Sequence, residues 1–88
     1  MPTRTAAVAS RVGLHARPAS LFVQAATATG LAVTIARAGG VPVDARSILL
    51  VMGLGARHGD EVVLEAHGEG AETALDALVQ LLQTDHDA

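Results

Sequence analysis

The chain of 88 residues contains no cysteine, no lysine, no tryptophan and no tyrosine, and Phe22 is its one aromatic residue. Without cysteine it forms no disulfide bond and offers no thiolate to a metal or a substrate. Proteins that bind nucleic acids commonly combine a basic surplus with aromatic side chains for stacking, whereas the net charge here is −3. The sequence therefore argues against thiol chemistry and against nucleic-acid binding.

Long apolar segments are absent as well. No apolar run approaches the ~20 residues that a membrane-spanning helix needs, and the N-terminal residues lack the basic segment and apolar core of a signal peptide. We therefore expect a soluble, cytoplasmic protein without membrane insertion. Half of the residues are hydrophobic and 17% are charged, which is typical of a globular chain. A chain of this length has room for a single domain, residues 1–88.

Turn-forming residues divide the chain into seven elements. Alternating apolar and polar residues predict four short strands, at residues 3–9, 31–36, 41–44 and 61–66. Three helices are predicted between them: one beginning within 16–18 and ending before Gly30, a short one with Ser47 as N-cap, and one over 71–82. The resulting order is β-α-β-β-α-β-α. Because each helix has one apolar stripe, we expect a sheet covered by helices on one face, with the strand order left open.

The segment around His15 differs most from ordinary packing. His15 lies where the first helix begins, and the first backbone N–H groups of a helix, here those of Ala16 and Arg17, have no acceptor within it. These groups and the helix dipole attract anions and favour a neutral, nucleophilic imidazole. Arg17 adds a guanidinium that suits phosphoryl oxygens. A lone histidine at a helix start is more often a cap or a surface residue, so these features leave both interpretations open.

Two motifs carry a family resemblance. The segment Gly13-Leu14-His15-Ala16-Arg17-Pro18-Ala19 resembles the active-site motif of HPr, the histidine-containing phosphocarrier family of the bacterial phosphoenolpyruvate:sugar phosphotransferase system. The segment Ser47-Ile48-Leu49-Leu50-Val51-Met52-Gly53-Leu54-Gly55 resembles the serine phosphorylation site of the same family. The spacing of the motifs, the chain length and the order of elements also fit, so the resemblance covers essentially the whole chain.

The resemblance implies an α+β fold, an open-faced β-sandwich with a four-stranded antiparallel sheet in the order 1-4-2-3 and three helices on one face. It implies that enzyme I, charged by phosphoenolpyruvate, phosphorylates Nδ1 of His15 with the assistance of Arg17. His15 would pass the phosphoryl group to the IIA domain of a sugar permease, and sugar specificity would reside in the permease. The chain would be a monomeric phosphoryl-transfer intermediate without a cofactor, rather than a turnover enzyme. Ser47 would be a regulatory site for a serine kinase, with regulatory proteins as further partners.

The apolar run at residues 48–52 cannot all face inward on so short a helix. Exposed apolar patches usually mark partner surfaces, so we expect some of these side chains in the core and Leu49, Met52 or their neighbours outside. The predicted partner surface joins the loop that contains His15 (residues 10–18, the His15 loop) to this helix, with Arg17 and Arg46 at its rim. Its residues are Ala16, Ser20, Gln24, Ile48, Leu49 and Met52.

The remaining polar features have plain structural interpretations. His58, His67 and His86 lack the spacing of a zinc site, so we expect solvated surface residues and no metal. Three arginines are most simply interpreted as solubilising charges: Arg37, Arg46 and Arg57. Arg46 flanks Ser47, so recognition of the two together is an alternative. The Gly68-Glu69-Gly70 segment lacks the lysine of a phosphate-binding loop and is interpreted as a turn.

Two other classes of function stay open. One is a regulatory binding module of the same fold that uses Ser47 as its only switch and takes no part in sugar transport. Relatives of that kind lack the active-site histidine, which this chain has as His15. The other is an unrelated βαβ-type domain for a small ligand, in which the match around His15 would be coincidence.

Overall fold

The computed structural model describes residues 2–85 and confirms the predicted order of elements. The strands are β1 (Thr3–Ala7), β2 (Thr34–Arg37), β3 (Val43–Asp44) and β4 (Glu61–Glu65), and the helices are α1 (Ala16–Ala28), α2 (Ile48–Gly53) and α3 (Ala71–Leu82). The strands are shorter than predicted, most clearly β3. Pro42 has no backbone N–H to donate to a neighbouring strand, and β3 begins only after it.

The strands form one antiparallel sheet in the order β1-β4-β2-β3, which confirms the order implied by the resemblance. Strand β4 is one of the two interior strands and pairs with β1 through Val63 opposite Thr5, and with β2 through Val63 opposite Ala36. Along β4, Val62 and Leu64 are fully buried, whereas Glu61 is exposed. This alternation places one face of the sheet in the core and leaves the other face open.

The helices cover the buried face of the sheet. α3 packs against β1 and β4, and α1 packs against both α2 and α3. Four side chains from each of the longer helices are buried: Pro18, Ala19, Phe22 and Ala26 from α1, and Ala71, Leu75, Leu78 and Leu82 from α3. Within residues 2–85, no helix combines the length and the apolar character that a membrane crossing requires.

The loop between β1 and α1 is held by the turn that precedes β4. At its start, Val8 donates to the carbonyl of Asp60 (2.9 Å) and accepts from the N–H of Gly59 (2.8 Å). At its end, Leu14 is buried and donates to the carbonyl of Ala56 (2.9 Å). Residues 56–60 therefore form the base on which His15 is presented.

Candidate functional site

His15 is the N-cap residue of α1, with an extended backbone at φ −96° and ψ −169°. The first hydrogen bond of the helix joins the N–H of Ala19 to the carbonyl of His15 (2.8 Å). The N–H groups of Ala16 and Arg17 precede that bond, and Pro18 has none. In the described part of the chain, the exposed imidazole of His15 makes no capping hydrogen bond. The side chain is therefore available to a partner at the positive end of α1, and the helix begins inside the predicted window.

Gly13 explains how the loop approaches its base so closely. Its φ is +73°, a left-handed conformation that favours glycine. A Cβ at this position would collide with the carbonyl oxygen of Ala56 and would lie 2.9 Å from Cα of Arg57. With Gly13 against this backbone and Leu14 in the core, the next residue, His15, is directed to the surface.

Arg17 lies in the first turn of α1 and is exposed. Its guanidinium is planar and offers pairs of N–H groups that match the oxygens of a phosphoryl group. The first residues of α1 thus supply an imidazole that can act as a nucleophile, and two backbone N–H groups and a guanidinium of the kind that donates to phosphoryl oxygens.

Ser47 is the N-cap residue of α2, as predicted. Its backbone is extended, and its Oγ accepts a hydrogen bond from the N–H of Leu50 (3.3 Å). The Ser47 hydroxyl thereby supplies an acceptor for the N–H of Leu50, which has no acceptor within the helix. Ser47 is half-buried at the end of a helix whose exposed side is apolar.

Arg46 is part of an ion pair immediately before Ser47, and is more than a solubilising charge. Its Nε and Nη2 donate to Oδ1 and Oδ2 of Asp44, each at 3.1 Å, and its backbone N–H donates to Oδ1 at 2.9 Å. The side-chain hydrogen bonds from Arg46, followed by the backbone one, lower the pKa of Asp44. In turn, the bonds to Asp44 raise the pKa of Arg46.

The apolar run of α2 divides between core and surface, but not entirely as predicted. Val51 is fully buried, whereas Leu49, about 200° away around the helix, is 80% exposed. Met52 is half-buried and packs against the core, so it offers less surface than expected. Leu50 is 47% exposed although the predicted partner surface omits it. Ile48 is also exposed.

The α1 residues of the predicted partner surface share one side of that helix. Ala16, Ser20 and Gln24 recur every four residues, and Nε2 of Gln24 donates to Oγ of Ser20 (3.0 Å). Ala16 and Gln24 are exposed, and Ser20 is half-buried. Because α1 packs beside α2, the structure brings the two parts of the predicted surface onto neighbouring helices.

His58 makes a contact that was not predicted from the sequence. His58 is exposed, as predicted. However, its Nδ1 lies 3.1 Å from the carbonyl oxygen of Ala9 and 3.3 Å from that of Ser10. No local pattern signals a partner 49 residues away. Of the other histidines, His67 is exposed and His86 lies outside the described residues. Among residues 2–85, no group of three or more His, Asp or Glu side chains is placed to hold a metal ion.

Arg37, which the sequence also suggested to be a solubilising charge, has an acidic partner. Arg37 forms an ion pair with Asp60, with Nη2 3.2 Å from Oδ2. The same Oδ2 accepts the backbone N–H of Arg57 (2.9 Å). Asp60 therefore links the end of β2 to the turn beneath the His15 loop.

The chain is similar to proteins of one family over nearly its whole length. Residues 2–84 match the family described as "PTS HPr component phosphorylation site". The chain is 63% identical over 70 residues to the phosphocarrier protein HPr of Streptomyces coelicolor, covering 80% of this chain and 75% of that relative. It is 48% identical over 82 residues to the phosphocarrier protein HPr of Haloferax volcanii, covering 92% of each.

A solved structure gives the same answer for the fold. The crystal structure of a phosphocarrier protein HPr from Bacillus anthracis superposes with a TM-score of 0.87 at 35% identity, covering 93% of this chain and 96% of that one. Sequence and fold thus agree over nearly the whole chain. The chain belongs to the HPr family of phosphocarrier proteins of the phosphotransferase system.

Proposed function

We propose that this chain accepts a phosphoryl group from phosphorylated enzyme I on Nδ1 of His15 and passes it to the IIA component of a sugar permease. Both transfers take place in the cytoplasm and serve sugar uptake by group translocation. The observation that carries the proposal is the place of His15, exposed at the N-cap of α1 with its imidazole outside the capping role. A helix N-terminus stabilises negative charge. It therefore stabilises the phosphoryl group while His15 holds it.

The chemistry needs only the groups at this end of α1. The Nδ1 lone pair of neutral His15 attacks phosphorus, the bond from phosphorus to the donor breaks, and its electron pair stays on the donor. Nε2 keeps its proton. The N–H groups of Ala16 and Arg17 and the guanidinium of Arg17 are the proposed donors to the phosphoryl oxygens. In the second transfer a nucleophile of the IIA component bonds to phosphorus, the bond from phosphorus to Nδ1 breaks, and its electron pair returns to Nδ1. The chain is thereby restored, which makes it a carrier rather than a turnover enzyme.

The test is a two-step transfer followed by intact mass. Phosphoenolpyruvate and enzyme I should add one phosphoryl group to the chain, and a IIA component added next should remove it. A regulatory module that uses Ser47 as its only switch would gain no mass in the first step. An unrelated small-ligand domain would also stay unmodified in the first step.

Arg17→Ala should slow phosphoryl transfer by about 10- to 150-fold, because a hydrogen bond to a charged group contributes about 1.5–3 kcal/mol. Arg17→Lys should restore the rate only in part, since lysine keeps the charge but loses the paired N–H groups. Rapid-quench kinetics with phosphorylated enzyme I measure both variants. Arg17 is exposed, so thermal unfolding should change little, and an Arg17→Ala variant that reacts at the wild-type rate would remove the residue from the mechanism.

The proposed partner surface joins α1 to α2. A monomeric carrier must be released after each transfer, so its interfaces should be small, about 1,200 Å² or less. The apolar anchor is Leu49, 80% exposed, with Gln24 and Arg17 at the polar edge. On titration with enzyme I, amide shift changes should concentrate in residues 13–24 and 47–54. Changes centred on the open sheet face, for example at Thr5, would place the interface elsewhere.

We further propose that Ser47 is a regulatory phosphorylation site for a serine kinase and that regulatory proteins bind the modified form. A phosphate there would add about −1.5 to −2 charge at a helix N-terminus, where it does not unfold the segment. Nε and Nη2 of Arg46 already donate to the carboxylate of Asp44, so the positive charge next to Ser47 is already paired and neutralises the added phosphate only in part. The charge would lie beside the exposed apolar side of α2 and oppose docking of enzyme I.

Ser47→Asp should therefore slow phosphorylation of His15 while preserving stability. The matched control is Ser47→Asn, which keeps a capping oxygen without the charge and should react at the wild-type rate. Ser47→Ala should react normally but lose about 0.5–2 kcal/mol of stability with the cap. Transfer kinetics and thermal unfolding of the three variants separate the roles. If Ser47→Asp reacts as fast as Ser47→Asn, the serine is only a cap.

A further inference from the structure

His58 contacts the point at which the chain turns toward the His15 loop. The carbonyl of Ser10 accepts the N–H of Gly13 (3.0 Å), and this bond closes the turn over residues 10–13. Nδ1 of His58 lies 3.3 Å from that same carbonyl oxygen and 3.1 Å from the preceding one, of Ala9. A side chain from the base of the loop thus contacts the residue that closes its turn.

The chemistry of the contact fixes which nitrogen of His58 carries the proton. Both neighbouring groups are carbonyl oxygens, which accept hydrogen bonds and cannot donate them. Nδ1 must therefore be the donor. At 3.1 Å the carbonyl of Ala9 is the main acceptor, and the carbonyl of Ser10, at 3.3 Å, is a weaker second one. Neutral His58 is then the Nδ1–H tautomer, with Nε2 unprotonated.

We propose, on the basis of the function proposed above, that His58 is a positioning residue for phosphoryl transfer. By donating from Nδ1 to the carbonyls of Ala9 and Ser10, it fixes the turn that presents His15. The two ends of this loop are already held by backbone bonds, donated by Gly59 and accepted by Asp60 and Ala56. His58 adds a restraint between those ends, at residues that two other backbone bonds also hold: the N–H of Ala9 donates to the carbonyl of Leu82 (3.0 Å), and the N–H of Gly13 donates to that of Ser10 (3.0 Å).

The restraint affects the rate because transfer demands alignment. Nδ1 of His15 must meet phosphorus while the N–H groups of α1 meet its oxygens, and small displacements of reacting groups are costly. Loss of one hydrogen bond of ordinary strength is expected to slow transfer by about 3- to 10-fold. The effect is smaller than removal of Arg17, because His58 acts only through the loop.

Two substitutions separate the donor from the bulk of the ring. His58→Leu keeps much of the volume without an N–H and should slow transfer by about 3- to 10-fold. His58→Asn places an amide N–H near the position of Nδ1 and should return the rate to within about twofold of wild type. The matched control is His67→Leu, which removes another exposed histidine and should leave the rate unchanged.

A measurement without enzyme I tests the contact itself. The ¹⁵N signals of the His58 ring should show a proton on Nδ1 and none on Nε2, and amide exchange at Gly13 should quicken in His58→Leu. An Nε2–H tautomer would overturn the proposal, and so would a wild-type rate in His58→Leu. If the wild-type chain takes no phosphoryl group, the proposed function fails. The tautomer and the amide exchange at Gly13 then decide whether His58 positions the loop.

Discussion

His15→Ala should abolish phosphorylation of the chain by enzyme I and phosphoenolpyruvate while leaving its fold intact. The substitution removes the attacking nitrogen. The groups that remain at the start of α1 are hydrogen-bond donors and cannot act as the nucleophile in its place. His15 is exposed, so its removal should change the free energy of unfolding by no more than about 0.5 kcal/mol. Phosphorylation is followed by intact mass and unfolding by circular dichroism.

The control for this variant is His67→Ala, a second exposed histidine. It should be phosphorylated at the wild-type rate and to the same extent. A phosphorylated His15→Ala variant would show that another side chain is the acceptor. A variant that is inactive because it is unfolded would be recognised by its lost circular dichroism signal, and His15→Gln, with an uncharged side chain of similar length, then takes its place.

Gly13→Ala should strongly destabilise the chain and should slow phosphorylation of His15 at the same time. A left-handed backbone costs a residue with a side chain about 1–3 kcal/mol, and forcing a methyl group against a packed backbone adds about 1–3 kcal/mol. The added Cβ meets the carbonyl of Ala56, which moves only if the base of the loop moves. Chemical denaturation and transfer kinetics measure the two effects.

Gly39→Ala is the matched control, because Gly39 has a similar φ of +78° but no atom within 4 Å of the added Cβ. It should lose only the backbone contribution and should be phosphorylated normally, since Gly39 lies in the turn between β2 and β3. The difference between the two variants isolates the close approach of Gly13 to the backbone of Ala56. Equal losses of stability in the two variants would mean that the close approach of Gly13 to Ala56 does not contribute to the effect of Gly13→Ala.

The elements that were predicted well are those determined by local sequence. The apolar stripe of α3 gives the same bounds as the structure, and Ser47 caps α2 because a serine before a short apolar run can satisfy a helix N–H from its own side chain. The strand order is a different matter. Alternation shows which face of a strand is buried but not which strand lies beside it, and that order came from the family resemblance.

The positions of His15 and Arg17 at the start of α1 could be predicted from the sequence, but the contacts that support this loop could not. His15 and Arg17 stand in one motif, so their shared position at the start of α1 follows from local sequence. The need for Gly13 depends on Ala56, and the contact of His58 depends on Ala9, both far away along the chain. Such contacts form only when the turn before β4 packs against the His15 loop. The periodicity of apolar residues carries no information about this packing.

The most direct test of whether His15 carries the phosphoryl group is to locate that group on the chain. The chain is incubated with phosphoenolpyruvate and enzyme I, and its mass and modified peptide are then determined before and after treatment with acid or alkali. A phosphoryl group bound to nitrogen is lost in acid and retained in alkali. We predict one added group, on the peptide that contains His15, that acid removes and alkali leaves in place. A chain without added mass, or with an acid-stable group on another peptide, would contradict the account.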